Sequence, residues 1–167
     1  MDIEAPVDAW YVWFGVALVS LGFLGVALGI PSSAPPDAEK AAGTVDRVAG
    51  NEYTASATYD HDADEVRITP KTIAMRNDGG TARESISFGS MTPVYAHPDD
   101  NVSQQLEDLL YGEAVSELNG TEAELATWAE QAREHFDTDG AEWRPANGEL
   151  RVRKLTLDGE SVVLVTA

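Results

Sequence analysis

The chain has 167 residues, 29 acidic against 11 basic, a formal charge of -18 and no cysteine. That length holds one modest domain beside a short further segment. The charge opposes nucleic acid, whose phosphates are bound through lysine and arginine, and the missing thiol removes disulfide and thiolate chemistry. A hydrophobic fraction of 43% in patterned runs excludes a disordered solvating chain.

Residues 1–9 are an acidic leader with Asp2, Glu4 and Asp8, lacking the basic start and small-residue cleavage site of a secretory signal. Residues 10–30, WYVWFGVALVSLGFLGVALGI, carry no charge. As a helix they reach about 30 Å, which predicts an uncleaved transmembrane helix in a lipid bilayer. Trp10, Tyr11 and Trp13 suit the headgroup layer at one end. Gly15, Gly22 and Gly29 repeat at heptad spacing, and Gly25 with Gly29 makes a G-x-x-x-G pair. One helix face is therefore nearly bare backbone, which predicts packing on a membrane protein partner or self-association.

Lys40 and Arg47 after the span, with no basic residue before it, favour an internal C-terminus. Against them stand two glycosylation sequons, Asn101-Val102-Ser103 and Asn119-Gly120-Thr121, which matter only outside the cell. The reading taken is a cell-membrane, single-pass protein with an exterior C-terminal domain.

Residues 31–50 combine a Pro-rich spacer, PSSAPP, with an amphipathic stalk helix marked by Ala38, Ala41, Ala42, Val45 and Val48 and ended by Gly50. Residues 51–167 form the soluble domain. Tyr53, Ala55, Ala57 and Tyr59 alternate with Thr54, Ser56 and Thr58, and Val66 with Ile68 does the same after an acidic turn, predicting a hairpin. A second hairpin turns at Asn77-Asp78-Gly79-Gly80 and returns through Phe88, after which a short strand is expected around Val94.

Asn101 with Gln104 predicts a capped helix burying Val102, Leu106, Leu109 and Leu110. Thr121 and Glu124 form a capping box before the stripe Leu125, Trp128, Ala129, Ala132 and Phe136. A last hairpin turns at Asp158-Gly159, and the apolar run Val162 to Val165 suggests a central strand, or one covered on both faces. The fold expected is α+β: one transmembrane helix, a short kinked stalk helix, and a mostly antiparallel sheet of hairpins with two or three helices on one side.

Hydrophobic helix, kink, amphipathic helix and strands in this order resemble type IV pilin-like subunits. Scarce lysine (Lys40, Lys71 and Lys154) and plentiful Ala and Val resemble proteins of halophilic archaea. In molar salt, where the Debye length is about 3 Å, the charge serves solubility. The segments Ala5-Pro6-Val7-Asp8-Ala9-Trp10-Tyr11-Val12-Trp13, Met75-Arg76-Asn77-Asp78-Gly79-Gly80-Thr81, Phe88-Gly89, Thr92-Pro93-Val94 and Trp143-Arg144-Pro145-Ala146 are similar to an uncharacterised family of small single-pass proteins of halophilic archaea, known only as a domain of unknown function. The resemblance implies an N-terminal anchor and a setting among pilus-type or secretion-type systems. It implies no catalytic residue.

Asp60-His61-Asp62-Ala63-Asp64 opens like a calcium loop, but Glu65 stands where glycine is needed and Lys71 where the closing glutamate belongs. Asp60, Asp62 and Asp64 are weak cation candidates in what reads as a solvated acidic turn. Asp137 and Asp139 with Gly140 read the same way. His61, His97 and His135 show no paired-ligand spacing, and neither a nucleophile elbow nor a phosphate loop is present. Arg151, Arg153 and Lys154, the single basic cluster in the sequence, read as cross-strand ion pairing rather than a docking surface. Trp128 and Trp143 read as core or half-buried aromatics.

No cofactor, metal or catalytic residue is expected. The function expected is that of a membrane-anchored accessory or pilin-like subunit of a surface assembly, acting by protein-protein contact and not as an enzyme. The alternative is a membrane-tethered exterior binding module or hydrolase, which requires a concave pocket with convergent polar groups.

Overall fold

A computed structural model describes residues 8–28, 33–139 and 141–167. The chain divides into two compact units, Met1–Ala34 and Pro35–Ala167. The described part of the first is a single helix, α1 (Asp8–Leu28).

The membrane span expected over residues 10–30 is corrected: among the described residues no helix is long and apolar enough to cross a membrane. Gly29 and Ile30, the end of the expected span, lie outside the described residues, as does the leader before Asp8.

The second unit runs α2 (Ala38–Ala49), β1 (Ala55–Asp60), β2 (Glu65–Ile68), β3 (Thr72–Asn77), β4 (Gly80–Ser85), β5 (Met91–Pro93), α3 (Asp100–Tyr111), α4 (Glu122–Asp139), β6 (Arg144–Pro145), β7 (Glu149–Leu157) and β8 (Glu160–Thr166). Two four-stranded sheets result. Sheet one has the order β1-β7-β8-β5 and sheet two β4-β3-β2-β6. The single sheet with helices on one side is therefore corrected to two sheets, with helices against both faces of sheet one.

The expected stalk helix belongs to the core of this unit. Asp37 caps α2 by accepting the Lys40 N–H at 3.0 Å. Ala38, Ala41, Ala42, Val45 and Val48 then bury one stripe. They meet Leu150, Val152, Val163 and Val165 of sheet one and Val66, Ile68, Ile73 and Met75 of sheet two. Asp46 ties the far end of α2 down, its carboxylate accepting the N–H groups of Ser87 (2.7 Å) and Phe88 (3.0 Å). That contact ends β4 at Ser85 instead of carrying the strand through Phe88, which is 58% exposed.

β1 and β2 do not pair with each other, contrary to the hairpin expected from their alternation. β1 pairs with β7 and β2 with β3 and β6. Residues 60–64 form a corner between the sheets, because their backbone is bonded to both. His61 N–H donates to Gly148 O, Asp64 N–H to Arg76 O, and Ala146 N–H to Asp64 O, each at 2.9 Å.

The β7–β8 hairpin forms as read, with Asp158 (φ 48°) and Gly159 (φ 82°) supplying the positive φ pair of its two-residue turn. Alternate residues of β8 serve opposite cores. Val163 and Val165 face α2, while Val162 and Leu164 join Leu106, Leu109, Leu125 and Ala129 of α3 and α4. The continuous apolar run is thus a central strand covered on both faces. β5 joins β8 in parallel, and Val94 begins a 3-10 turn directly after it rather than a strand.

α3 is capped by Asp99, not Asn101: the Asp99 carboxylate accepts the Asn101 N–H at 2.8 Å. The capping box of α4 is present, with Thr121 N–H on Glu124 Oε2 (2.8 Å) and Glu124 N–H on Thr121 Oγ1 (3.3 Å). The bonds that the Thr121 N–H and hydroxyl donate to Oε2 hold the Glu124 carboxyl below the usual carboxylate range, the backbone N–H contributing most.

Candidate functional site

α1 is apolar around its whole circumference. Trp10 (77% exposed), Tyr11, Trp13, Phe14, Leu18, Leu21, Phe23, Leu24 and Val26 all stand uncovered. A Cβ added at Gly15, Gly22 or Gly25 meets nothing within 4 Å. At 100° per residue Gly15, Gly22 and Gly25 fall on one side of α1, with Leu24 opposite Gly15. The fourth expected packing glycine, Gly29, lies outside the described residues.

Asp60, Asp62 and Asp64 sit at the corner between the sheets. Among the described residues no group of three or more His, Asp or Glu side chains is gathered as metal ligands are. Asp62 accepts instead from Asn77 Nδ2 at 3.4 Å. His61 lies half buried among them, its Nδ1 accepting the Ala63 N–H at 3.3 Å and its Nε2 buried without a partner. Burial pushes the imidazole below its ordinary value, against the opposing pull of Asp62 and Asp60. The side chains of Asp137 and Asp139, with Gly140, lie outside the described residues.

His97 and His135, 38 positions apart in the chain, line one hollow of about 300 Å³ with Tyr95, Ala96, Phe136, Glu142 and Arg144. Both His97 nitrogens are committed: Nδ1 accepts the Asp99 N–H (3.0 Å) and Nε2 meets Gln131 Oε1 (3.1 Å). That bonding ties the start of α3 to α4 through the imidazole. Tyr95 packs edge-on to Phe136 and carries the Arg144 guanidinium 4.3 Å above its ring. Its buried hydroxyl has no partner, and burial pushes its pKa up to about 12.

The sequons are on the surface, with Asn101 and Asn119 both exposed. Asn101 stands in the first turn of α3, and the Asn119 N–H donates to Gln105 Oε1 at 2.9 Å.

The basic run is split by the strand's alternation. Lys154 points toward α2, its Nζ donating to Ala49 O (2.8 Å) and Asn51 O at the helix end. Arg153 points the other way and donates to Leu109 O in the last turn of α3. Each cation thus meets the negative end of a helix dipole. Arg151 pairs with Glu149 at 2.6 Å and lies 4.6 Å over the Tyr111 ring. In place of cross-strand ion pairs, two of the three cations cap helices and the third pairs along its own strand.

A different basic surface, invisible in the linear sequence, is built on the outer face of sheet two. Val66, Ile68, Ile73 and Met75 point into the core, so Arg67, Ala74 and Arg76 point outward. Arg83 joins Ala74 across the β3–β4 pair. Two guanidiniums lie against the Trp143 ring, Arg67 at 5.0 Å and Arg76 at 4.5 Å from its centroid. Arg76 also holds Glu65, and that hydrogen bond keeps the Glu65 carboxyl below the usual carboxylate range. The available signal was Arg67 between buried Val66 and Ile68 and Arg76 beside buried Met75, with nothing comparable at Arg83; what joins the three is cross-strand register.

No curated protein and no solved structure matches the chain. A model built on a family of unknown function matches residues 4–155, nearly the whole chain. The chain therefore belongs to that family, DUF7283.

Proposed function

We propose that this protein is a pilin-like accessory subunit of a surface assembly, working by protein-protein contact through α1. The observation that carries the reading is the all-round apolar helix, 21 residues long and in a unit of its own. A helix of that kind is stable in water only when something encloses it. Open glycine positions on one side allow a second helix to approach closely. The order of apolar helix, buried amphipathic helix and sheets supports the pilin-like reading, and the -18 charge supports a halophilic setting.

The chain has no cysteine, so a single introduced thiol reports one position cleanly. Oxidation of cells expressing the full chain with G15C or G22C is expected to give disulfide-linked products. L24C, on the opposite side, is expected to give far less. Equal yields at all three positions, or none at any, refute a specific helix contact.

A further inference from the structure

We infer that the outer face of sheet two is a docking surface for the acidic α4 side of a second copy of this chain. The inference rests on the assembly reading above and names a second contact within it.

The basic side is ordered by register. Across β2, β3 and β4 one row reads Arg67, Ala74, Arg83 and the next Glu65, Arg76, Thr81. Three of the chain's 11 cations share this face with a single strand carboxylate, Glu65, which is bound to Arg76. Ala74, between two arginines, is 2% exposed. Trp143 stacks with Arg67 and Arg76, so the guanidiniums are held in place before any partner arrives. Arg83 is exposed and, among the described residues, joins no ion pair. Arg153 and Lys154, by contrast, are taken up at helix ends.

The complementary side lies beyond the opposite face of sheet one. α4 and the β7–β8 turn border a hollow of about 360 Å³ lined by Ala123, Ala126, Thr127, Glu130, Asp158 and Glu160, with Glu130 also paired to Arg133 of its own helix. Glu122 stands at the same turn, its carboxylate 3.4 Å from the Asp158 N–H. With a Debye length of about 3 Å in molar salt, charge brings two copies together only where guanidinium and carboxylate touch directly. The arginine face is the surface of this unit that fits. Arginine forks match carboxylates in geometry as well as charge. The two surfaces differ, so the contact is head-to-tail, and its repetition gives a ring or an open filament, not a closed two-fold dimer.

The test co-expresses two full-length chains, one with R83C and one with E160C, each bearing a sole thiol, and oxidises them in cells. The expected product is the mixed disulfide, at least tenfold above either homodimer. Charge reversal by R67E in the R83C chain should cut the mixed product about tenfold, and E130R in the E160C chain should restore it. A G22C chain with the same R67E change is oxidised in parallel to read α1. If the α1 product persists but no R83C–E160C product forms, or if homodimers dominate, this inference is overturned while the assembly reading stands. If the α1 product is also missing, the assembly reading fails.

Discussion

Replacing Lys154 with methionine tests whether the basic run of β7 is structural. The substitution keeps an unbranched stem of similar length and removes the ammonium. That ammonium donates to Ala49 O and Asn51 O, beside the carboxyl end of α2. A hydrogen bond involving a charged group contributes about 1.5–3 kcal/mol, and a cation at a helix end about 0.3–1 kcal/mol. The site is only partly buried, and water replaces some of what is lost, so K154M should cost about 1.5–2 kcal/mol. For a domain of this size that lowers Tm by about 5–8 °C. Thermal unfolding followed by circular dichroism on the full chain measures it. Direct bonds, not long-range attraction, carry the effect, so the deficit should survive in 1 M NaCl, where the Debye length is about 3 Å. An unchanged Tm, with altered association in its place, would show that Lys154 faces a partner and refute the helix-end account.

His61 and Gly112 offer two further checks. His61 has a folded pKa held below its ordinary 6.5, so the unfolded chain takes up its proton first as pH falls. Its stabilising contribution is therefore complete above pH 6.5 and is lost as pH drops from there toward the folded value. The urea midpoint difference between wild type and H61Q should change between pH 7 and 5; a difference independent of pH contradicts the buried, neutral imidazole. Gly112 closes α3 at φ +113° while its N–H bonds Asp108 O and Leu109 O. G112A should cost about 1–2 kcal/mol, because a Cβ is strained there, and a loss below about 0.3 kcal/mol in urea unfolding would refute that strain.

What the sequence disclosed was local, and what it withheld depended on distance along the chain. The capping box at Thr121 and Glu124 and the turn at Asp158-Gly159 require only neighbours, and both stand where the residues place them. The buried stripe of α2 was equally legible, but not the fact that it packs between two sheets rather than along a stalk. Alternation placed β1 and β2 as strands, yet their nearness in sequence suggested a pairing that the corner at residues 60–64 prevents. Period two already separates Lys154 from Arg151 and Arg153, which dissolves the apparent cluster. The arginine face had the opposite problem: Arg67, Arg76 and Arg83 look scattered until register brings their strands together. In α1 composition suggested a full span, whereas among the described residues no helix is long and apolar enough to cross a membrane.

The strand order of sheet one has a temporal consequence. β1 and β5 occupy its edges, and both obtain their partners only from the β7–β8 hairpin: Ala55 waits for Lys154, and Met91 for Val163. During synthesis the earlier strands of that sheet leave the ribosome with no partner to join, and both cores lack their shared wall until β8 has emerged. High sequence separation of this kind slows folding. The domain's assembly is thus a late event that closes around its central strand, and until then the exposed α2 stripe and the unpaired β1 edge are the surfaces a chaperone would have to shield.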